Sequence, residues 1–401
     1  MMRQLIKFFK RNCIAILLAF VIIVSLELFK LPFSNKDKTT AIRKLRIEAF
    51  GNPWFRNIVD TTQRASEQNT EVQHIAFLKV HKSGSTTAQN IFLRFGFHRN
   101  LTFILPPFKN PFKYPNIISL RDSLNENNTL PAPKGKNFDL LCNHVIYNRT
   151  AFEKFLPKDT VYIGILREPY EQFKSTLNYL RPAYVFKLKN PLPGSVYLKD
   201  PLKYEPNKST VWSFTNNRMA VEFGLPNDII KSIDLKEVAK YIAILDKEFA
   251  LVIITELFQE SIVLMRRILN WTTKDVIYLD KNIALKKNVS SYMGPYDRQL
   301  YRKWAKIDYV LYDFFFKRLR QQIREQGADF DDELLHFNEI LKMVTEFCAQ
   351  DKLIRNAKLE VHASTWSDAF NVNEDDCQLL KKGEMEFIKM IRKRQYGTDK
   401  I

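Results

Sequence analysis

The chain has 401 residues and carries 62 basic against 44 acidic side chains, a formal charge of +18. With 45% hydrophobic and 13% aromatic residues it can bury a sizeable core, in one large domain or two modest ones, which excludes a disordered polypeptide. The charge calls for an anionic partner, a membrane surface or mere solubility, and by itself does not choose among them.

At the N-terminus, Lys7, Lys10 and Arg11 precede an uncharged apolar run over residues 13–26, and Glu27, Lys30 and Pro32 close it. The run is near the short end of the ~17–25 residues a spanning helix needs, and Phe8, Phe9, Leu28 and Phe29 extend it at the interfaces. A cleaved signal peptide competes with this reading, but no small-x-small cleavage site follows the run. Basic residues on the N-terminal side favour a cytoplasmic N-terminus. The expectation is a tail over 1–11, a type II signal anchor over 12–31, a polar stem over 32–70 and a lumenal globular domain over 71–401.

A lumenal body gives meaning to the acceptor sequons at Asn100, Asn127, Asn148, Asn207, Asn270 and Asn288. Asn148 and Asn270 lie beside apolar segments, which predicts restricted access for them. Three cysteines follow the anchor, and one disulfide plus one free thiol is the simplest arrangement. Cys348 with Cys377 is the favoured pair because they bracket the C-terminal segment, and Cys142 in "FDLLCNH" reads as a buried thiol. The His and Cys residues are scattered without metal-ligand spacing, so no metal is expected.

The globular part opens with "VQHIAFLKV", a buried strand by its apolar and β-branched content. The loop "KVHKSGSTT" follows, and then "TAQNIFLRFGF", with Ile91, Phe92 and Phe95 spaced on one helix face. A second strand–loop–helix unit is "TVYIGILREPYEQFKSTLNYL", where Arg167-Glu168-Pro169 ends the strand Val161–Leu166 and Pro169 suits a first helical turn. Residues 181–209, rich in Pro, Lys and Tyr, read as a long surface excursion that could cover an acceptor. "YIAILD" over 241–246 could mimic a nucleotide-binding strand but reads as part of a helix. A third unit places strand at 251–255 and helix at 256–269. The C-terminal third, from Tyr296, is helical and charged, with residues 314–316 as core aromatics. Alternating strands and helices predict a parallel α/β sheet flanked by helices, with functional loops at the carboxyl ends of the strands.

The loop over residues 79–87 has the general form of an anion cradle: free backbone N–H groups and a positive helix end, with Lys79 and Lys82 as cations. Ser83, Ser85, Thr86 and Thr87 offer hydroxyls and Gly84 lets the backbone approach a ligand. A capped helix start beside solvated lysines is the plain alternative. The loop is not a Walker A motif, since Lys82-Ser83 precede the glycine, and an ATP-dependent kinase is therefore a poor second reading.

"KVHKSGSTT" resembles the 5′-phosphosulfate loop of sulfotransferases, and "LREPYEQFKS" resembles their second nucleotide-binding segment. That resemblance implies a sulfotransferase domain using 3′-phosphoadenosine 5′-phosphosulfate (PAPS), with Arg167 and Ser175 holding its 3′-phosphate and Lys82 facing the 5′-phosphate and bridging oxygen. Within that superfamily the chain is similar to the Golgi galactose 3-O-sulfotransferases. The likeness is carried also by "FLRFGFHRNLTFILP", "LLCNHVIYN", "NNRMAVEFGLP" and "LVIITELFQESIVLMRRILNW". It runs from about His74 to Asp280 and weakens through the C-terminal helices; Ser83 and Gly84 depart from that subfamily's Thr and Ala. It implies His81 as the base that takes the acceptor proton and His144 as a second histidine for the acceptor sugar or the base.

These readings lead to a Golgi type II enzyme that transfers sulfate from PAPS, without a metal, to a hydroxyl of terminal galactose on a glycolipid or glycoprotein. A homodimer is allowed for, and nucleic acid is not an expected partner. A glycosaminoglycan acceptor and a non-catalytic glycan-binding protein on the same scaffold are the alternatives.

Overall fold

The computed structural model describes residues 70–398 except 110, 181–185, 191, 206–212, 281–292 and 351–356. The expected tail, anchor and most of the stem, and the sequons at Asn207 and Asn288, lie outside the described residues. Among the described residues no helix is long and apolar enough to cross a membrane.

Strands β1 (Ile75–Phe77), β2 (Leu140–Leu141), β3 (Val161–Leu166) and β4 (Phe249–Ile254) form one sheet in the order β2-β1-β3-β4. Every pairing in it is parallel. Parallel neighbours need crossover connections, and these place helices on both faces, so the strands must be apolar on both sides. "IAF" and "VYIGIL" meet that demand, since every residue but Val161 is buried. The helix α1 (Ser85–His98) follows β1 and buries Ile91, Phe92 and Phe95. Phe92 stacks on Phe77 at 4.6 Å, and Phe95 stacks on Trp271 at 3.6 Å.

Helix α2 (Pro169–Leu180) follows β3, and further along come α3 (Arg218–Glu222), α4 (Leu235–Glu248) and α5 (Phe258–Leu269). The 241–246 stretch lies inside α4, so it is helix, as its sequence suggests. The C-terminal part supplies α6 (Pro295–Trp304), α7 (Lys306–Arg324), α8 (Phe330–Ala349), α9 (Glu374–Lys381) and α10 (Glu384–Tyr396). A two-stranded antiparallel ribbon, β5 (Leu359–Val361) with β6 (Phe370–Val372), interrupts that helical run. Cys348 in α8 and Cys377 in α9 are joined as a disulfide, and Cys142 is a buried free thiol.

Two expectations need correction. The stretch over 181–209 is not a bare surface excursion in its described part. It forms helical turns at Pro193–Lys199 and Pro201–Tyr204. Phe186, Leu188, Tyr197 and Leu198 enter a second apolar cluster with Phe173, Leu177 and Tyr301. Its aromatic side chains find a partner surface in α2 and α6 that local periodicity does not reveal. Asn148 and Asn270 are exposed, contrary to their expected shielding, as are Asn100 and Asn127. Both sit at helix ends: Asn148 caps a short helix through its side chain, and Asn270 closes α5 in the left-handed region.

The sheet order positions the site. From β1 the chain crosses to β2 on one side, and β3 then pairs on the other side of β1. Loops leaving β1 and β3 therefore diverge, and the crevice between them at the strands' carboxyl ends is where α/β sheets bind ligands.

Candidate active site

The loop after β1 runs to Gly84, which adopts φ 74° at the N-cap of α1. That left-handed geometry is what glycine permits at no steric cost, and a Cβ there would stand 3.3 Å from Thr255 Cγ2. The Thr255 hydroxyl, just past β4, lies 2.6 Å from the carbonyl of Ser83 and 2.9 Å from that of Leu166. It thereby ties the β1 loop to the end of β3. Inside the loop, Ser83 Oγ and Ser85 Oγ both donate to the Val80 carbonyl, at 2.9 and 2.6 Å. Thr86 Oγ1 donates to Glu384 Oε2 at 2.9 Å. Ser83, Ser85 and Thr86 thus fasten the loop to itself and to α10 instead of facing outward, and Thr87 is buried. The outward donors are the backbone N–H groups at the start of α1.

The cations sort by burial. Lys79 is 1% exposed, with its Nζ 3.3 Å from Glu384 Oε2. Lys82 stands at φ 60° with its ammonium 4.4 Å from the Tyr179 ring centroid. Burial, then the neighbouring charges of Arg167 and Lys79, push the Lys82 ammonium below the ordinary lysine range. Arg167, at the end of β3, donates to the Lys82 carbonyl at 3.3 Å. Gln172 in α2 donates to the His81 carbonyl at 3.1 Å. Ser175 follows Gln172 by one turn and precedes Tyr179 by one turn, so it shares the α2 face that touches the loop. Arg167 thus contacts the loop directly, and Ser175 lies on the helix whose Gln172 does.

His81 and His144 also meet. Their rings stack with centroids 3.7 Å apart and planes 22° apart. His144, after β2, lies 2.9 Å from the Lys79 carbonyl through Nδ1. A carbonyl only accepts, so that nitrogen carries the proton and Nε2 is left as an acceptor. The decisive partner of His81 comes from a helix that sequence reasoning passed over. Its backbone N–H donates to Glu222 Oε2 at 2.8 Å, and its Nδ1 makes a short bond to Glu222 Oε1. Nδ1–H therefore points at the carboxylate, and His81 Nε2 holds the free lone pair.

Glu222 is 2% exposed, and Arg218 one turn earlier donates to it at 2.8 Å. Burial alone would raise its pKa; the charge of Arg218, and after it the hydrogen-bonded His81, outweigh that and bring it down to about 2. It is a carboxylate throughout the neutral range. Burial lowers His81, with Arg218 and Lys79 adding to that against the pull of Glu222, and His144 is lowered well below the usual histidine value, first by burial. Both imidazoles are held neutral, as a general base must be.

Packing and capping put Glu222 in place. Phe223, the next residue, lies over Gly164 of β3, where a Cβ would stand 2.7 Å from its ring. The start of α3 is held by Asp308, which accepts from Ala220 N–H at 2.8 Å and Met219 N–H at 3.3 Å. In return Asn217 Oδ1 accepts from Ile307 and Asp308 N–H at 2.9 and 3.2 Å, capping α7. The one sequence signal for this assembly was the i,i+4 spacing of Arg218 and Glu222 in "NNRMAVEFGLP".

His81, His144 and Glu222 also bring ligand-type atoms within 4.8 Å of one another, a metal-like spacing. Their bonds oppose that use. Both Glu222 oxygens are engaged by His81 and Arg218, His144 Nδ1 is engaged by Lys79, and Lys79 and Arg218 repel a cation.

The family profile described as galactose-3-O-sulfotransferase matches residues 23–365. This chain belongs to the galactose-3-O-sulfotransferase family. It is 30% identical over 295 residues to galactose-3-O-sulfotransferase 2 of Mus musculus, covering 72% of this chain and 73% of that protein. Against galactose-3-O-sulfotransferase 3 of Homo sapiens it is 30% identical over 290 residues, covering 71% and 65%. Against galactosylceramide sulfotransferase of Homo sapiens it is 28% identical over 282 residues, covering 68% and 64%. As a member of a sulfotransferase family the chain is an enzyme. The loop, both histidines, Arg167, Ser175 and the Arg218–Glu222 pair all lie within the matched residues, whereas Glu384 lies beyond them.

Proposed function

We propose that this chain transfers a sulfuryl group from PAPS to a hydroxyl, the 3-OH, of a terminal galactose on glycolipid or glycoprotein glycans. The observation that carries the reading is the His81–Glu222 pair, set one residue from Lys82 at the switch point of a parallel sheet, in a member of this family.

The residues present suit the donor. The exposed, left-handed Gly84 at the head of a 14-residue helix presents backbone N–H groups to an anion. Lys82 and Arg167 flank it, and Ser175 lies on the facing helix; these would hold the two phosphate groups. PAPS supplies sulfate on a phosphate leaving group, so the sulfur–oxygen bond to phosphate breaks as the bond to the acceptor oxygen forms. His81 Nε2 takes the acceptor's hydroxyl proton. Glu222 keeps the proton of His81 on Nδ1 and stabilises the imidazolium as it forms, while Lys82 opposes charge gathering on the leaving side. The His144 ring fixes the plane of His81, and its own Nε2 is available to an acceptor hydroxyl. Enclosure by Phe214, whose ring lies 5.4 Å from that of His81, limits water at the base.

For cellular placement we propose a Golgi membrane protein, single-pass and type II, anchored over 12–31. The basic flank of the apolar run and the exposed sequons support this placement.

The test is incorporation of labelled sulfate from PAPS across a panel of galactosides and glycosaminoglycans. Transfer to terminal galactose, lost in His81→Ala and Lys82→Ala, is expected. Undiminished transfer by a folded Lys82→Ala enzyme would sink the loop assignment, and transfer confined to glycosaminoglycans would sink the acceptor.

A further inference from the structure

Beneath the loop lies a charge cluster that the reaction as described does not use. Lys79 Nζ is 3.3 Å from Glu384 Oε2 and 3.5 Å from each of Ser85 Oγ and Thr86 Oγ1. Glu384 Oε2 accepts from Thr86 at 2.9 Å, and Glu384 Oε1 accepts a short bond from Asn116. Glu384 is the first residue of α10, where a carboxylate also meets the positive end of the helix. The helix is fixed to the same region independently. Gln395 donates to the Phe103 carbonyl at 2.9 Å, and Arg392 to the Pro106 carbonyl at 3.0 Å.

We infer that Lys79 is not a donor ligand but one half of a buried strut with Glu384, through which α10 sets the shape and net charge of the donor loop. The inference rests on the PAPS reading above. Lys79 is 1% exposed and its ammonium is already surrounded, so it cannot reach a phosphate without leaving a buried carboxylate behind. Glu384 in turn stands one hydroxyl away from the anion cradle. With Lys79 in place its charge is answered locally; without Lys79 it would repel an incoming phosphate. Both residues are therefore positioning residues, and Glu384 lies outside the family-matched 23–365.

The measurement is the affinity of the full chain for adenosine 3′,5′-bisphosphate, with melting temperatures to show that each variant is folded. Lys79→Met should weaken binding by about tenfold, the scale of one coupled pair, because Glu384 is left unanswered. Lys79→Met with Glu384→Gln should recover affinity to within about threefold of the native chain. A double variant as weak as Lys79→Met overturns the inference, since Lys79 would then contact the nucleotide itself. Full affinity in Lys79→Met overturns it as well. If Lys79→Met does not fold, Asn116→Ala loosens Glu384 without touching the loop. It should weaken nucleotide binding several-fold with acceptor KM unchanged, and unaltered binding there overturns the strut. Failure of the native chain to bind the nucleotide would instead refute the PAPS reading.

Discussion

Glu222 grips His81 twice, through the backbone N–H at 2.8 Å and through Nδ1 of the ring, across 141 residues of sequence. One carboxylate therefore fixes both the position of the imidazole and its tautomer. Glu222→Gln keeps the size of the side chain but removes the charge that stabilises a protonated His81. Its kcat should fall by roughly a hundredfold to a thousandfold, within the ~10²–10⁴ that a positioned base supplies. The KM for PAPS should hold. Steady-state kinetics with a galactoside acceptor check this, and an unchanged kcat would show that the Glu222 charge does not assist His81.

The pH dependence follows from the same pair. Burial lowers His81 below its ordinary value of about 6.5, and Arg218 and Lys79 lower it further, while Glu222 raises it. The neutral, proton-accepting form is therefore the active one, and the acid limb of kcat/KM should fall below pH ~6.5. In Glu222→Gln the raising partner is gone, so that limb should move to still lower pH even as the rate drops. Movement toward neutral pH would show that Glu222 is not what raises His81. For stability the sign is the same: His81 and His144 both bind protons less readily folded than unfolded. Their contribution is whole above pH ~6.5 and is lost as pH falls through their folded values.

The strands and loops of the proposed donor half are legible in the sequence because their parts are local. Buried parallel strands must be apolar on both faces, so β1, β3 and β4 announce themselves as runs, and the loops that carry Lys82 and Arg167 follow at once. The two residues of β2 are too few to show a pattern, although both are buried leucines. Glu222 escaped because nothing near it in sequence points to His81. It reaches His81 only because Phe223 settles on Gly164 and because Asp308 and Asn217 cap each other's helices. Glu384 escaped for the same reason: its partners Lys79, Thr86 and Asn116 all come from much earlier in the chain.

Asp308 makes the capping exchange testable. It is fully buried, and burial pushes its carboxyl up to about 7 against the lowering effect of the Ala220 and Met219 N–H groups. An acid raised on folding binds protons more readily in the folded chain, so stability should decline as pH rises from the unfolded value near 3.9 toward 7. Asp308→Asn removes the titration but keeps one oxygen for the Ala220 N–H. Its melting temperature relative to the native chain should therefore improve from pH 5 to pH 8. A parallel shift of both curves would refute the link.

Gly84→Ala tests the cradle without altering any charge. Its φ of 74° is the left-handed region, and the new Cβ would press on Thr255 Cγ2 at 3.3 Å. Left-handed strain costs about 1–2 kcal/mol at a residue with a Cβ. The variant should melt lower and bind adenosine 3′,5′-bisphosphate more weakly, since the loop either strains or turns its N–H groups aside. Equal affinity with a lowered melting temperature would mean that the loop's backbone does not hold the nucleotide.

The disulfide offers the last test, because it joins α8 to the segment that delivers α10. Cys348 and Cys377 enclose a loop with a sequence separation of 29, and such a link typically adds ~2–4 kcal/mol. Cys377→Ser should therefore lower the melting temperature. It should also weaken nucleotide binding, because α9 leads directly into α10 and Glu384. Cys142 will not complicate the reading: it is buried, and burial pushes its thiol up to about 12, so it stays unreactive in the folded chain. A Cys377→Ser chain that melts lower yet binds adenosine 3′,5′-bisphosphate as tightly as the native chain would show that α10 holds its place without the covalent tie.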